Sequence, residues 1–302
     1  MTMPHRHFLS TDDLTLDEIN TVLTRAAELL TPDGLTPSSV ASLVDKRFVL
    51  AFFEASTRTR LSFEAAIQRT GATHVHFAEA GSSVEKGESL DETIRTIESM
   101  GFDGIILRHA DNGIHGRIAA RTTMRVINAG EGTVSHPTQA LLDASTIQER
   151  FGRTEGVRIA IVGDLLHSRV ARSTSSILSR LGAEVAWCAP PSLAPREAPS
   201  FSRQFDDVEQ LMPWADVVYL LRIQRERIIS DVVPDVSAYR QHYALTEDLL
   251  KRHPSTVVMH PGPVNIGVEL DEVILRSSQC LVHRQVTHGV AVRMAVLEMF
   301  CR

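Results

Sequence analysis

Lysine is nearly missing from this chain of 302 residues: only Lys46, Lys86 and Lys251 occur, and every other cationic side chain is arginine. Genomic composition can produce such a bias, but it makes Lys86, in the polar stretch Ser82-Ser83-Val84-Glu85-Lys86-Gly87-Glu88, more noticeable. Cysteine is equally scarce. Cys188, Cys280 and Cys301 are far apart, which excludes the spacing of a thiolate metal site and favours a reducing compartment. No apolar run reaches the ~20 residues of a membrane span. The opening MTMPHRHFLSTDDLT has no apolar signal core, so a cytoplasmic location is the default expectation. Excess positive charge is lacking too; a net charge of −6 argues against a nucleic-acid partner.

Two nucleotide fingerprints are also missing. No GxxxxGK[ST] loop is present, which speaks against a conventional nucleoside triphosphatase. Gly163-Asp164-Leu165-Leu166-His167 stands where a GxGxxG turn would, without its glycines, so a nicotinamide oxidoreductase has the right general fold and the wrong loop.

What remains is the composition of a globular protein, 43% apolar and 23% charged, long enough for two domains. Phe48–Phe53 is a continuous apolar run, the pattern of a strand covered on both faces. Strand patterns recur at Thr73–Phe77, Gly104–Leu107 and Met124–Asn128, then again at Val157–Val162, Glu184–Cys188, Val217–Leu220 and Thr256–Met259. Helical spacing separates them, at Leu14–Leu30, Leu61–Ile67, Leu90–Met100, from Pro137, at Ser168–Leu181, Val208–Met212 and Glu247–Lys251, and closes the chain at Gly289–Phe300. Pro190–Pro195 reads as a surface loop. The alternation predicts an α/β protein of two open parallel-sheet domains.

Ser56-Thr57-Arg58-Thr59-Arg60 falls between a strand signal and a helix signal. There, free N–H groups, small hydroxyls and a forked guanidinium suit an anion. A capped helix with surface arginines is the plain alternative. Arg108 follows another strand signal and, taken singly, reads as a solvated arginine; His136 precedes a helix and, taken singly, reads equally well as structural.

Together these segments resemble the aspartate/ornithine carbamoyltransferase family, especially its aspartate-using branch. Phe53-Glu54-Ala55-Ser56-Thr57-Arg58-Thr59-Arg60-Leu61-Ser62-Phe63-Glu64 is similar to the family's carbamoyl-phosphate motif, and His136-Pro137-Thr138-Gln139-Ala140-Leu141-Leu142-Asp143 to a second one. The resemblance runs along almost the whole chain. It implies an interdomain active-site cleft between a carbamoyl-phosphate-binding domain, 1–136 completed by a returning helix 288–302, and an aspartate-binding domain, 137–287. It implies carbamoyl transfer to L-aspartate, an early step of de novo pyrimidine biosynthesis, with no cofactor and no metal.

By the same resemblance, Ser56, Thr57, Arg58, Thr59, Ser82, Lys86, Arg108, His136 and Gln139 bind carbamoyl phosphate. Arg58, Thr59, Lys86, Arg108 and His136 carry the catalysis. Lys86, Arg169, Arg222, Gln224, Pro261 and Gly262 bind aspartate, and the missing cysteine near His260-Pro261-Gly262-Pro263 favours a dicarboxylate over ornithine. Ser82 and Lys86 are implied to reach a neighbouring subunit's site, giving a homotrimer with shared active sites and leaving open a regulatory chain or a dihydroorotase-like partner. A transferase acting on another amine, or a binding protein without turnover, is the rival reading. Two departures stand out: Ile266 where arginine is common, affecting a loop anchor, and His288 where asparagine is common, affecting a helix cap.

Overall fold

The computed structural model describes residues 7–36, 41–77, 87–195, 203–223 and 236–302. Two compact units emerge, Met1–Ser145 with Val286–Arg302, and Thr146–Gln285.

The first unit opens with α1 (Leu16–Glu28), started by a reciprocal cap: Thr15 Oγ1 accepts the Glu18 N–H, and the Glu18 carboxylate accepts the Thr15 N–H at 2.8 Å. Ile19, Val22, Leu23 and Ala26 form its buried stripe. A small hairpin, β1 (Leu30–Thr31) and β2 (Gly34–Leu35), follows. The alternation then runs β3 (Arg47–Phe52), α2 (Thr57–Arg69), β4 (Thr73–Phe77), α3 (Leu90–Ser99), β5 (Gly104–His109), α4 (Ile114–Ala119), β6 (Arg125–Glu131) and α5 (Pro137–Phe151). The four longer strands are all parallel, in the order β4-β3-β5-β6. Central β3 and β5 are buried along nearly their whole length, which is why they read as unbroken apolar runs. Phe8 covers the β6 edge: its N–H donates to Val126 O and its carbonyl accepts from the Asn128 N–H, both at 2.9 Å.

The second unit contains β7 (Arg158–Val162), α6 (Arg169–Arg180), β8 (Glu184–Cys188), β9 (Arg203–Phe205), α7 (Val208–Leu211), β10 (Val217–Leu220), α8 (Val236–Tyr243), α9 (Glu247–Lys251) and β11 (Val257–Met259). Its sheet is also parallel, in the order β11-β10-β7-β8-β9. Ala160, Val162, Val218, Leu220, Leu245 and Val258 form part of its core. The last helix, α10 (Val282–Cys301), returns to the first unit from Val286 onward.

Inside the first unit Glu298 of α10 binds the rest of the fold. Its carboxylate accepts from Arg25 Nε at 2.7 Å and from Ser42 Oγ at 2.7 Å, and only 5% of the side chain is exposed. These partners hold the Glu298 pKa below its ordinary value, against the opposing effect of burial. A carboxylate lowered in the fold stabilises it above the unfolded pKa, and that contribution is lost as pH falls through the folded value. Glu298→Gln is expected to cost about 2 kcal/mol at pH 7. The difference from the parent protein should shrink as urea unfolding is followed below pH 4.5, the ordinary value; a pH-independent difference would assign the loss to packing instead.

Three expectations change. The Pro190–Pro195 stretch is not simply a surface loop: a 3-10 turn at Pro191–Leu193 buries Leu193, whose carbonyl accepts the N–H groups of Leu165 and Leu166 at 3.1 and 2.8 Å. The last helix begins at Val282, seven residues before Gly289, which therefore lies inside it. A Cβ at Gly289 would meet Arg293 Nη1 at 2.6 Å, so a larger residue there would displace the guanidinium nitrogen that donates to Ser62 Oγ and the Gly289 carbonyl. His288 consequently caps nothing; it is fully buried in α10, and a ring nitrogen lies 2.8 Å from Ser145 Oγ. Ile266 is about half exposed, in an isolated bridge with Leu270. No helix among the described residues is long and apolar enough to cross a membrane.

Candidate active site

Strand order places the first set of candidate residues. From β3 the chain moves outward to β4, then returns to the other side of β3 to lay down β5 and β6. The direction of winding therefore reverses between β3 and β5, and the carboxyl ends of such a pair diverge to open a crevice for a ligand. Ser56–Thr59 follow β3 and Arg108 is the penultimate residue of β5. Phe52 and Arg108 are paired in register, so both elements end at the same level.

The Ser56–Arg60 motif forms the first turn of α2 rather than a loop ahead of it. Ser56 is the N-cap residue, with extended backbone (φ −159, ψ 97), yet its hydroxyl makes no capping hydrogen bond. Thr15, Ser89, Ser168, Asp207 and Thr246 all cap their helices with a side-chain oxygen. Nor does α2 carry an acidic residue in its first turn, unlike α1, α3 and α9. An uncapped, cation-rich helix start with partial positive charge favours an external anion over an internal carboxylate. That observation decides against the plain capped-helix alternative. Thr59 is buried, while Thr57 and Arg58 are exposed.

Arg108 is almost completely buried and held from two sides. One guanidinium nitrogen donates to Ala129 O at 3.3 Å; another lies 3.2 Å from Glu54 Oε1. Glu54 comes from the end of the same β3 connection, so the anion motif supplies the counter-ion that orients the arginine. His136 directly precedes α5, at the end of the β6 connection, and is buried. One turn on, Gln139 Nε2 donates to Asp143 Oδ1 at 3.0 Å, which fixes which end of the amide is presented as acceptor. A further cation, Arg293 of α10, was not singled out from the sequence. It donates to Ser62 Oγ at 2.9 Å and Thr138 Oγ1 at 3.2 Å, joining the two motif helices. Burial, reinforced by repulsion from Arg108, lowers its pKa to about 9, which still leaves it charged at neutral pH.

The second unit repeats the logic. β7, β8 and β9 are laid outward, after which the chain returns to the other side of β7 for β10 and β11. The reversal lies between β7 and β10, and the residues following those strands include Arg169 and Arg222. The two connections are locked closely: Leu221 N–H donates to Val162 O at 2.8 Å, and a Cβ on Gly163 (φ +122) would come within 2.9 Å of Leu221 O. Only glycine fits there. Arg169 is the first residue of α6 and is 4% exposed. Before it, fully buried Asp164 accepts from the His167 N–H at 3.1 Å and lies 3.0 Å from His167 Nδ1, setting the shape of the turn.

Glu269 links the remaining pieces, and no sequence pattern had marked it. Fully buried, it accepts from Ile223 N–H at 3.1 Å, Asn265 N–H at 2.6 Å and Asn265 Nδ2 at 2.7 Å. It thereby ties the residue after Arg222 to the end of the His260–Asn265 loop that carries Pro261 and Gly262. Burial raises the Glu269 pKa, opposed by these hydrogen bonds and by the charge of Arg222. Glu269→Gln would turn an N–H₂ toward N–H donors; it is expected to cost about 2 kcal/mol in urea unfolding and to raise the aspartate KM. Unchanged aspartate kinetics in a destabilised variant would leave Glu269 a purely structural residue. Ser82, Lys86 and Gln224 lie outside the described residues.

Two parallel α/β units, each with arginine-bearing connections at the point where its sheet reverses, define a class of α/β protein whose ligand crevices suit anions. The comparisons make that class specific. Residues 6–149 match the model of the aspartate/ornithine carbamoyltransferase carbamoyl-P binding domain, and residues 155–300 that of the Asp/Orn binding domain. The aspartate carbamoyltransferase catalytic subunit of Thermobifida fusca (strain YX) is 46% identical over 294 residues, covering 97% of this chain and 94% of that protein. That of Akkermansia muciniphila is 43% identical over 300 residues, covering 98% and 97%. Among solved structures, aspartate transcarbamoylase from Trypanosoma cruzi in complex with carbamoyl aspartate and phosphate superposes with TM-score 0.88 at 27% identity, covering 98% of this chain and 96% of that one. The catalytic subunit of M. jannaschii aspartate transcarbamoylase gives 0.83 at 33%, covering 98% of each. This chain belongs to the aspartate/ornithine carbamoyltransferase family.

Proposed function

We infer that the chain transfers the carbamoyl group of carbamoyl phosphate to the amino group of L-aspartate, yielding N-carbamoyl-L-aspartate and phosphate. It is an enzyme of pyrimidine biosynthesis. The observation that carries the substrate assignment is the pair of buried or half-buried arginines, Arg169 and Arg222, beside the second sheet's reversal. Two forked cations suit the two carboxylates of aspartate and disfavour a cationic amine such as ornithine.

In this reading Ser56, Thr57, Arg58 and Thr59 hold the phosphate at the start of α2, with Ser82 and Lys86 completing the grip. The neutral amine attacks the carbonyl carbon, and the C–N bond forms as the carbonyl oxygen takes negative charge. Thr59, Arg108 and His136 stabilise that oxygen, while Gln139 contacts the carbamoyl amide. The C–O bond to phosphate then breaks. Arg58, the hydroxyls and Lys86 stabilise the leaving phosphate, which is basic enough to take the amine proton. Lys86, Arg169, Arg222, Gln224 and the Pro261 and Gly262 carbonyls orient aspartate. No covalent enzyme intermediate is needed, since fixed donors and positioning supply the acceleration.

The functional division we propose sets carbamoyl phosphate on 1–136 with 288–302 and aspartate on 137–287, with Gln139, just past that boundary, serving the carbamoyl group. A homotrimer that shares Ser82 and Lys86 between subunits, working in the cytoplasm, completes the proposal; a regulatory chain or dihydroorotase-like partner would join that unit. Incubating purified protein with carbamoyl phosphate and either aspartate or ornithine tests it. Phosphate release matched by carbamoyl-aspartate supports the reading, and turnover of ornithine without aspartate overturns it. Mass measurement in solution tests the trimer.

A further inference from the structure

Further along α2, at the end of the phosphate motif, three side chains converge on the edge of the first sheet. β4 is the terminal strand in the order β4-β3-β5-β6, and it carries His74 and His76 two residues apart, hence on one face. They stand in register with Phe48 and Leu50 of β3. Glu64 comes from the middle of α2, which packs beside β4. His76 Nε2 lies 3.2 Å from Glu64 Oε1, and the His74 and His76 rings meet edge to face with centroids 5.3 Å apart. One ligand atom from each of the three residues lies within 4.8 Å of the other two.

We propose that Glu64, His74 and His76 form a binding site for a divalent first-row transition metal ion of the zinc class. A tetrahedral ion with bonds of about 2.0–2.1 Å keeps its ligand atoms about 3.3 Å apart. His76 and Glu64 already stand at about that separation, 3.2 Å, and the His74 ligand atom, within 4.8 Å of both, has at most about 1.5 Å to close. Two imidazoles and one carboxylate suit zinc, cobalt, nickel or copper(II) and disfavour magnesium and calcium, which take oxygen ligands. Solvent supplies the remaining position, since His76 is 45% and Glu64 24% exposed. Arg60 Nε lies 3.5 Å from the same Glu64 oxygen; being 51% exposed, it can turn into water as the ion enters. The simpler reading, a His76–Glu64 ion pair, accounts for two of these residues and leaves the placement of His74 unused. The bound ion would cross-link the edge strand to α2, whose first turn carries the phosphate motif.

The test begins with full-length protein, without an affinity tag, stripped by a chelator and dialysed. Titration with Co²⁺ and Zn²⁺, read by visible absorption, calorimetry and metal analysis, should show saturation at one ion per chain and a raised melting temperature. His74→Gln and His76→Gln should each weaken binding by at least about tenfold, and the double variant should abolish it, with metal-free carbamoyl transfer unchanged. In the unaltered protein, Zn²⁺ should protect His74 and His76 from acylation by diethyl pyrocarbonate, mapped by peptide mass spectrometry; this arm does not depend on any variant folding. Failure to saturate, binding that survives in the double variant, or acylation of both histidines in the presence of Zn²⁺ would each overturn the site.

Discussion

Arg108→Met is expected to lower kcat by about 10³, equivalent to roughly 4 kcal/mol of transition-state stabilisation. The reason is the placement of the guanidinium. It sits at the carboxyl end of β5, directly across the sheet reversal from the start of α2, and is 8% exposed. In so shielded a position a fixed cation acts more strongly on a developing oxyanion than it would in water. Ala129 O and Glu54 hold it before any ligand arrives, so little is spent on orienting it. The same arrangement complicates the experiment, because removing Arg108 leaves Glu54 without its cation. A loss of about 1–3 kcal/mol of stability is expected as the half-buried Glu54 carboxylate loses this partner. The double variant Arg108→Met with Glu54→Gln separates the two effects: stability should recover and kcat should not. A single variant keeping kcat within threefold of the parent value would remove Arg108 from the chemistry.

Arg169→Met is expected to lower kcat/KM for aspartate by about 10² or more, in the range measured when one member of a desolvated charge pair is lost. Arg169 is buried at the first position of α6, where Ser168 caps the helix by accepting the Ala171 N–H at 3.1 Å. Because the cap belongs to Ser168, changing Arg169 should leave the helix start intact. Carbamoyl phosphate binding, followed by calorimetry without aspartate, should be unaffected. Arg169→Lys should recover little, because an ammonium cannot reproduce the two parallel donors of a guanidinium. An equal loss of affinity for both substrates would point to a general folding defect instead of a carboxylate contact.

Much of the architecture was legible before any coordinates. The runs at Phe48–Phe53 and Val157–Val162 became β3 and β7, and the expected strands at Thr73–Phe77, Glu184–Cys188 and Val217–Leu220 have the observed limits. Those segments are buried or paired along their length, so local pattern and tertiary need agree. Short elements escaped notice. α4, β9 and α8 show no clear apolar period: β9 has three residues, none of them buried, α8 buries Tyr239 alone, and α4 buries His115 between Ile114 and Ile118. His288 was expected to affect a helix cap because the apolar spacing placed the start of the last helix at Gly289. In the fold, helical hydrogen bonding simply continues through Gly289.

By itself the sequence determined the parallel α/β character, the helix-start anion motif and the set of arginines, since each depends on neighbours in the chain. It could not determine strand order. Parallel strands are joined through crossovers, and nothing local says on which side of β3 or β7 the next strand will settle. Only the tertiary structure put the Ser56–Thr59 turn opposite Arg108, and the Arg169 connection beside that of Arg222, each pair at a reversal of its sheet. It alone set Glu54 against Arg108 and Glu269 between Ile223 and Asn265, because those contacts join residues that the chain keeps apart and that packing must bring together.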